Sequence, residues 1–445
     1  MRSSTGLSFI CAVALAITLA ACGGGGGGSQ SVLGGPHPSP SPSPTGNPLS
    51  RIQHIVIIEL ENRSFDSYFG TYPGVNGIPP NPNCNPDPKT GQCILPWHNS
   101  NLINYGGPHS TNDMYKDIDG GKLDGFIESA ESGFGGFEDP SPDDVMGYHT
   151  CAEIPVYCNL AAANTLADNH FAASNTWSAI AHLYLVSAWS AKCVSSDPMS
   201  CAYSGNVTLG ADDLAWTDIT WLLHKNNVSW KFYAFKLAGN GQLGPFNRQN
   251  DGEEPEAVGV KTGTGAPATD WNPLPDFDDV NQDGELGNIV PGGNFPLDAK
   301  AGLLPSVAWV TPGFADSDHP AESIQGGQTF VTDMLRALDK GPDASSTIVL
   351  LTWDEWGGFY DHVIPVQIDQ GGYGFRTPLI IIGPMVRHGF IDHQLLTSDS
   401  YLKLIEDRFL GGQRLDPTTD GRPDSRPDVR ETQPGLGDII NDLTN

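Results

Sequence analysis

Two apolar runs in this chain end in side chains that carry oxygen ligands. Ile55-Val56-Ile57-Ile58 leads into Glu59-Leu60-Glu61-Asn62, and Ile348-Val349-Leu350-Leu351 leads into Thr352-Trp353-Asp354-Glu355. Short β-branched runs read as strands buried on both faces, and open α/β sheets bind ligands beyond the carboxyl ends of such strands. If the two ends meet, three carboxylates share one place and repel by about 4 kcal/mol per pair at about 4 Å in an effective dielectric near 20. A divalent cation removes that conflict. Taken singly, either pair also reads as the cap of a following helix. Consecutive strand residues point to opposite faces, so both members of a pair can serve one site only where the strand has given way to a turn.

The elements that must position these residues follow from hydrophobic periodicity. Strands are predicted at 52–58, 307–310, 347–352 and 379–382, with a weaker one at 230–234. Residues 328–338 place Val331, Met334, Leu335 and Leu338 on one helical face, and residues 400–410 do the same with Leu404, Ile405 and Phe409. Alternation of this kind predicts an α/β fold with a mostly parallel sheet. Composition turns to Gly, Pro, Asn and Asp over 238–296, which predicts a surface excursion, and the tail 413–445 reads as loosely ordered. Within the excursion, Asp279-Val280-Asn281-Gln282-Asp283-Gly284 opens like a calcium loop, with Asp279, Asn281 and Asp283 as candidate ligands of a structural calcium. The pattern is truncated: Gly287 and Val290 stand where such a loop carries its later ligands. An acidic turn without metal is the alternative.

The 445 residues carry 52 acidic against 23 basic side chains, a net charge of −29. Such a surface repels nucleic acid, and an anionic substrate would need a local cation to be held. At the amino terminus, Arg2 precedes an apolar run over 7–19, and Leu19-Ala20-Ala21-Cys22 resembles the lipobox of bacterial lipoproteins. This predicts a signal peptide over 1–21, a lipidated Cys22 that anchors the chain to a membrane facing the periplasm or cell exterior, and a Gly-rich then Pro/Ser-rich tether over 22–48. An ordinary secretory signal and an uncleaved anchor are the alternatives, and the run falls short of the ~20 residues a spanning helix needs. Six further cysteines fall as the local couples Cys84/Cys93, Cys151/Cys158 and Cys193/Cys201. In an exported chain these read as three short disulfides, and none shows the C-x-x-C spacing of a zinc site.

The strand ends continue into longer motifs. Glu61-Asn62-Arg63-Ser64-Phe65-Asp66-Ser67-Tyr68-Phe69-Gly70 closely resembles the E-N-R-S-F-D-H-Y-F-G signature of the bacterial phospholipase C and acid phosphatase family of phosphoesterases. Asp354-Glu355-Trp356-Gly357-Gly358-Phe359-Tyr360-Asp361-His362-Val363 resembles its D-E-x-x-G-x-x-D-H-V. Gly374-Phe375-Arg376-Thr377-Pro378 is similar to G-x-R-V-P, and Gly120-Gly121-Lys122-Leu123-Asp124-Gly125-Phe126 to G-G-K-M-D-G-F. The resemblance covers most of 52–410, within a catalytic domain taken as 49–412. It implies an alkaline-phosphatase-like α/β sandwich, its mostly parallel central sheet flanked by helices.

By that resemblance Glu61, Asn62, Asp354 and Glu355 would bind one divalent metal. Aligning Asp168-Asn169-His170-Phe171 and His182-Leu183-Tyr184-Leu185 with the family places Ser178 where its members carry a catalytic Thr or Ser. Ser178 precedes a stretch in which Ile180, Leu183, Tyr184 and Ser187 have helical spacing, so it would stand at a helix amino terminus, which favours a phosphoryl anion. A simple N-cap serine is the bland alternative. Ser178-Ala179-Ile180-Ala181-His182 departs from T-x-P-N-R, the phospholipase form of the motif, and this leaves the substrate open between phosphomonoesters and phospholipid headgroup esters. His319, in Asp318-His319-Pro320, matches the family's E-H-P, and His109 matches the His of its D-H-S-W. Both would contact phosphate and one would protonate the leaving alcohol, although a lone histidine is more often a packing residue. His362 would orient metal ligands from behind through Asp361; His170 and His182 are weaker candidates. A surface-tethered protein that binds phosphorylated or cell-wall ligands without turnover is the alternative from another class.

Overall fold

The computed structural model describes residues 47–133, 140–235 and 271–444. Its centre is set by the two apolar runs. They form His54–Leu60 (β1) and, paired with it in parallel, Thr347–Trp353. Around them lie Thr165–Ala167 (β2), Trp230–Ala234 (β3), Ile289–Pro291 (β4) and Val307–Thr311 (β5), and the chain then adds Thr347–Trp353 (β6), Leu379–Ile382 (β7) and Phe390–Asp392 (β8). The eight-stranded sheet runs β4-β3-β5-β1-β6-β7-β2-β8. Only β7 is antiparallel to its neighbours. This is the mostly parallel α/β architecture expected.

Alternate side chains of the central strands feed two separate apolar layers, as a period of two requires. Ile55, Ile57, Ile348 and Leu350 pack with Ile180 and Leu183 of Ser178–Ser187 (α1). Val56, Ile58, Val349 and Leu351 pack on the other face with Val331, Met334 and Leu338. The predicted helices lie within Ile324–Asp339 and Ser398–Phe409. The strands β2, β4 and β8 are only three residues long, too short for periodicity to reveal.

Three expectations are corrected. Within the excursion, residues 236–270 lie outside the described residues, but 271–280 are almost wholly buried, while 281–288, between the core positions, lie towards the surface. Leu274, Phe277 and Val280 recur at every third position and sit in the core with Ile289, while Ile289–Pro291 extends the sheet. The polar residues between them supply turns and caps, which is what the composition reflected. Nor does this segment form a calcium loop. Asp279 lies in the helix Asp278–Gln282, buried, with Oδ2 2.8 Å from Arg422 Nη1 and accepting a hydrogen bond from Asp218 N at 3.2 Å, whereas Asn281 is exposed. Its carboxylate is neutralised by arginine, and Asp283 closes the helix instead of curving back towards an ion.

The carboxy-terminal tail is also packed, not loose. Leu415, Arg430, Glu431, Ile439 and Asp442 are all buried. Arg426 Nη1 donates to Ser187 O at 3.0 Å and so satisfies a carbonyl at the end of α1, while Arg430 donates to Ala173 O at 2.7 Å and Gly372 O at 3.0 Å. A segment that composition marks as loose thus carries buried arginines bonded to backbone carbonyls.

The three cysteine couples form the disulfides Cys84–Cys93, Cys151–Cys158 and Cys193–Cys201. The signal segment 1–21, Cys22 and the tether up to residue 46 lie outside the described residues. Among the described residues no helix is long and apolar enough to cross a membrane.

The buried His170 offers a stability test. Its Nε2 is 2.6 Å from Tyr401 Oη and its Nδ1 is 3.0 Å from Thr377 Oγ1, and burial pushes its pKa down to about 3. A depressed folded-state value means that its contribution is fully present above the unfolded value near 6.5 and is lost as pH falls towards 3, up to roughly 5 kcal/mol. Thermal unfolding followed from pH 7 to pH 4 should show a midpoint that falls with acidity, and His170→Gln should flatten that dependence.

Candidate active site

Parallel pairing puts Glu59 beside Thr352 and Leu60 beside Trp353, so β1 and β6 end level. Asp354 N donates to Leu60 O at 3.0 Å, and Asn62 N returns a hydrogen bond to Asp354 Oδ1 at 2.8 Å. Each strand end thus holds the other. Asn62 turns the chain with φ +55°, a left-handed conformation asparagine tolerates better than most residues. Gly357, at φ +61°, fits against it because a Cβ there would meet Asn62 O at 2.7 Å. Both pairs therefore lie in turns, as a shared site demands.

The carboxylates are buried and concentrated. Glu61 Oε1 is 3.0 Å from His182 Nε2, and Glu59 Oε2 is 2.8 Å from Nδ1 of the same ring, at ion-pair distance but off the axis of the ring N–H. Glu59 and Glu61 are alternate residues and share a face, and His182 stands between them on α1. Single ligand atoms of Glu61, His182 and Asp354 lie within 4.8 Å of one another. Glu61 Oε2 and Asp354 Oδ2 are buried with no hydrogen-bond partner. Burial, then the charge of Asp354, raises the Glu61 pKa well above its ordinary value, and His182 only partly offsets this. For His182 burial opposes the charge, yet Glu59 and Glu61 outweigh it and hold the ring's pKa well above normal. The cluster is short of positive charge, and its hard oxygen atoms and imidazole suit a divalent cation.

The other two expected ligands point elsewhere in part. Glu355 Oε2 accepts from Gly357 N at 2.7 Å, and Oε1 is 3.7 Å from His109 Nε2. His109 Nδ1 is 2.8 Å from Gly107 O, and burial lowers its pKa. The Asn62 side chain joins two candidates: its Oδ1 accepts from Ser178 Oγ at 3.2 Å, and its Nδ2 is 3.4 Å from His319 Nε2. Ser178 opens α1 with Trp177 as N-cap, and no side chain caps that terminus. The serine is not an N-cap; its hydroxyl goes to Asn62. His319 Nδ1 is 3.0 Å from Pro320 O, which assigns the proton to Nδ1 and leaves a lone pair on Nε2. Its ring lies 4.5 Å from Phe314, centre to centre, and burial pushes its pKa down to about 3.

Asp361 and His362 do not stand behind the residues expected to hold a metal. Asp361 is held by Arg376 Nε at 2.9 Å and Nη2 at 3.0 Å, while His362 Nδ1 is 2.6 Å from Asp66 Oδ2, and Arg376 Nη2 reaches Asp66 Oδ1 at 3.0 Å. Among the described residues neither hydrogen-bonds to Glu61, Asn62, Asp354 or Glu355. Arg376 clamps the first motif to the second, drawing Asp361 and Asp66 to itself. His170 faces Tyr401 and Thr377 instead of this cluster.

Sequence reasoning named Glu59 at the strand end but gave it no role, and it undervalued His182. A glutamate two residues before Glu61, in an otherwise apolar strand, was the available signal for Glu59. Trp271 is also new: its ring stacks on His182 at 6.3 Å and His319 at 6.4 Å, centre to centre. No pattern announced it.

The phosphoesterase family model matches residues 52–410. Phospholipase C B of Mycobacterium tuberculosis is 28% identical over 423 residues, covering 81% of this chain and 74% of that protein. The non-hemolytic phospholipase C of Burkholderia pseudomallei is 26% identical over 422 residues, covering 80% of this chain and 55% of that protein. Among solved structures, the phosphonate monoester hydrolase of Agrobacterium radiobacter aligns with a TM-score of 0.36 at 11% identity, covering 80% of this chain and 73% of that one, a likeness too distant to carry an argument. With paired acidic motifs at level strand ends and a family match that spans both, the chain belongs to the phosphoesterase family and is a phosphoric ester hydrolase.

Proposed function

We propose that hydrolysis is metal-dependent and proceeds through Ser178, on phosphomonoesters or phospholipid headgroup esters. The observation that carries this is the pair of buried, unpartnered oxygens, Glu61 Oε2 and Asp354 Oδ2, beside a serine at an uncapped helix amino terminus. Glu61, Asn62, Asp354 and Glu355 are the residues that would hold the cation, which supplies positive charge for the phosphoryl oxygens and favours ionisation of the serine hydroxyl.

The chain's own groups do the rest. Ser178 Oγ attacks phosphorus, a bond forms to the serine oxygen, and the bond to the alcohol oxygen breaks. First-turn N–H groups of α1 favour the transferred phosphoryl group. Burial keeps His319 neutral, so it must accept a proton before it can donate one. Its Nε2 lone pair shares the Asn62 amide with Ser178, which suits it to take the hydroxyl proton and return it to the leaving alcohol. His109 contacts the phosphoryl oxygens from the Glu355 side. Water then cleaves the phosphoserine by the reverse proton path.

Ser178→Ala should lower turnover of p-nitrophenyl phosphate by about 10³-fold or more without moving the melting temperature; unchanged turnover in the folded variant would remove serine from the mechanism. A chelator should abolish release from p-nitrophenyl phosphate and from p-nitrophenyl phosphorylcholine alike, and the ratio of the two metal-restored rates reports whether a monoester or a headgroup diester is preferred. The lipobox-like segment supports attachment through a lipid on Cys22 to a membrane facing the periplasm or cell exterior. Fractionation of Cys22→Ser should then move the chain from the membrane to the soluble fraction.

A further inference from the structure

We propose that His182 is a nitrogen ligand of the active-site cation, coordinating through Nε2 together with Glu61 and Asp354, and that Glu59 is the carboxylate that orients its ring. The proposal rests on the metal-dependent reading above and alters its ligand set.

Geometry supports it first. Two donor atoms about 2.1 Å from one cation and at right angles to each other stand about 3.0 Å apart, and His182 Nε2 is 3.0 Å from Glu61 Oε1. Asp354 completes a set within 4.8 Å. The unpartnered oxygens Glu61 Oε2 and Asp354 Oδ2 are buried in the same cluster, an independent sign that something is to be bound there. An imidazolium would instead aim a proton into the space where the cation belongs.

The surroundings of the ring agree. A metal-bound histidine nearly always offers its other nitrogen to a carboxylate or carbonyl, and Glu59 Oε2 is the carboxylate oxygen beside Nδ1, 2.8 Å away though off the axis of the ring N–H. Trp271 stacks on the imidazole, and His182 is fully buried, so water does not compete for the nitrogen. Being four residues after Ser178 on one helix, His182 lies on the same face one turn deeper. The ligand and the nucleophile would therefore be set by one rigid element. The phospholipase motif T-x-P-N-R ends in arginine at this position, a side chain that cannot coordinate a cation; histidine can.

Mn²⁺ bound to the full-length chain provides the test. Pulsed electron paramagnetic resonance at one equivalent of Mn²⁺ should show modulation from a coordinated imidazole nitrogen. His182→Gln should lose the modulation and bind Mn²⁺ roughly 10- to 100-fold more weakly, whereas Glu59→Gln should keep the modulation and weaken binding over a similar range. If His182→Gln does not fold, wild-type chain labelled with ¹⁵N-histidine should exchange the ¹⁴N pattern for a ¹⁵N one, and the unlabelled pattern should persist in His109→Gln and His319→Gln. Mn²⁺ that binds, is lost in Glu61→Gln, and shows no histidine coupling would overturn the role of His182 and leave the metal-dependent reading standing. Absence of Mn²⁺ binding, with turnover indifferent to chelator, would overturn both.

Discussion

The structure depends on the level ending of two parallel strands. Eight aliphatic side chains of β1 and β6, at 55–58 and 348–351, are buried between helical layers, a gross contribution on the order of 10 to 20 kcal/mol. Bringing three carboxylates together at the ends of those strands opposes folding by about 4 kcal/mol per pair. The two terms are of similar size, so the cluster is a substantial cost that the buried strands must offset. The mutual hydrogen bonds between Asn62 N, Asp354 Oδ1, Asp354 N and Leu60 O then fix the two turns to each other.

Several other buried carboxylates are met by arginine or by hydroxyl and indole donors. Asp66 and Asp361 share Arg376, Asp279 has Arg422, and Asp424 has Arg426 at 2.7 Å. Asp318, its pKa pushed up to about 6 by burial, collects hydrogen bonds from Tyr68, Tyr157 and Trp353. Glu61 and Asp354 have no arginine, and each keeps a buried oxygen without a hydrogen bond. What sets this pair apart is that the two lie in one cluster with the His182 imidazole.

The helix that Ser178 opens is fastened from both ends by segments remote in sequence. Its first residue bonds to Asn62 in the opening motif, and its last carbonyl is taken by Arg426 in the carboxy-terminal tail. His182 pins its middle to β1 through Glu59 and Glu61. The tail that composition marked as loose is thus part of what holds Ser178 in place. Its order was not legible because periodicity is blind to a buried ion pair.

What the sequence determined by itself was whatever is local or contiguous: the strands at 52–58 and 347–352, the helices around 328–338 and 400–410, the cysteine couples and the two acidic motifs. Each rests on neighbours along the chain, so spacing and residue type were enough to read it. Glu59, Trp271 and the partner of His182 were decided only by tertiary structure. A ring becomes a candidate ligand when a helix more than a hundred residues downstream is laid against a particular face of a strand, and nothing in the residues around His182 states which face that will be. Asp361 and His362 show the same constraint in reverse: they sit beside the acidic pair in sequence, yet the turn at Gly357 and Gly358 and the pull of Arg376 carry them to a different network.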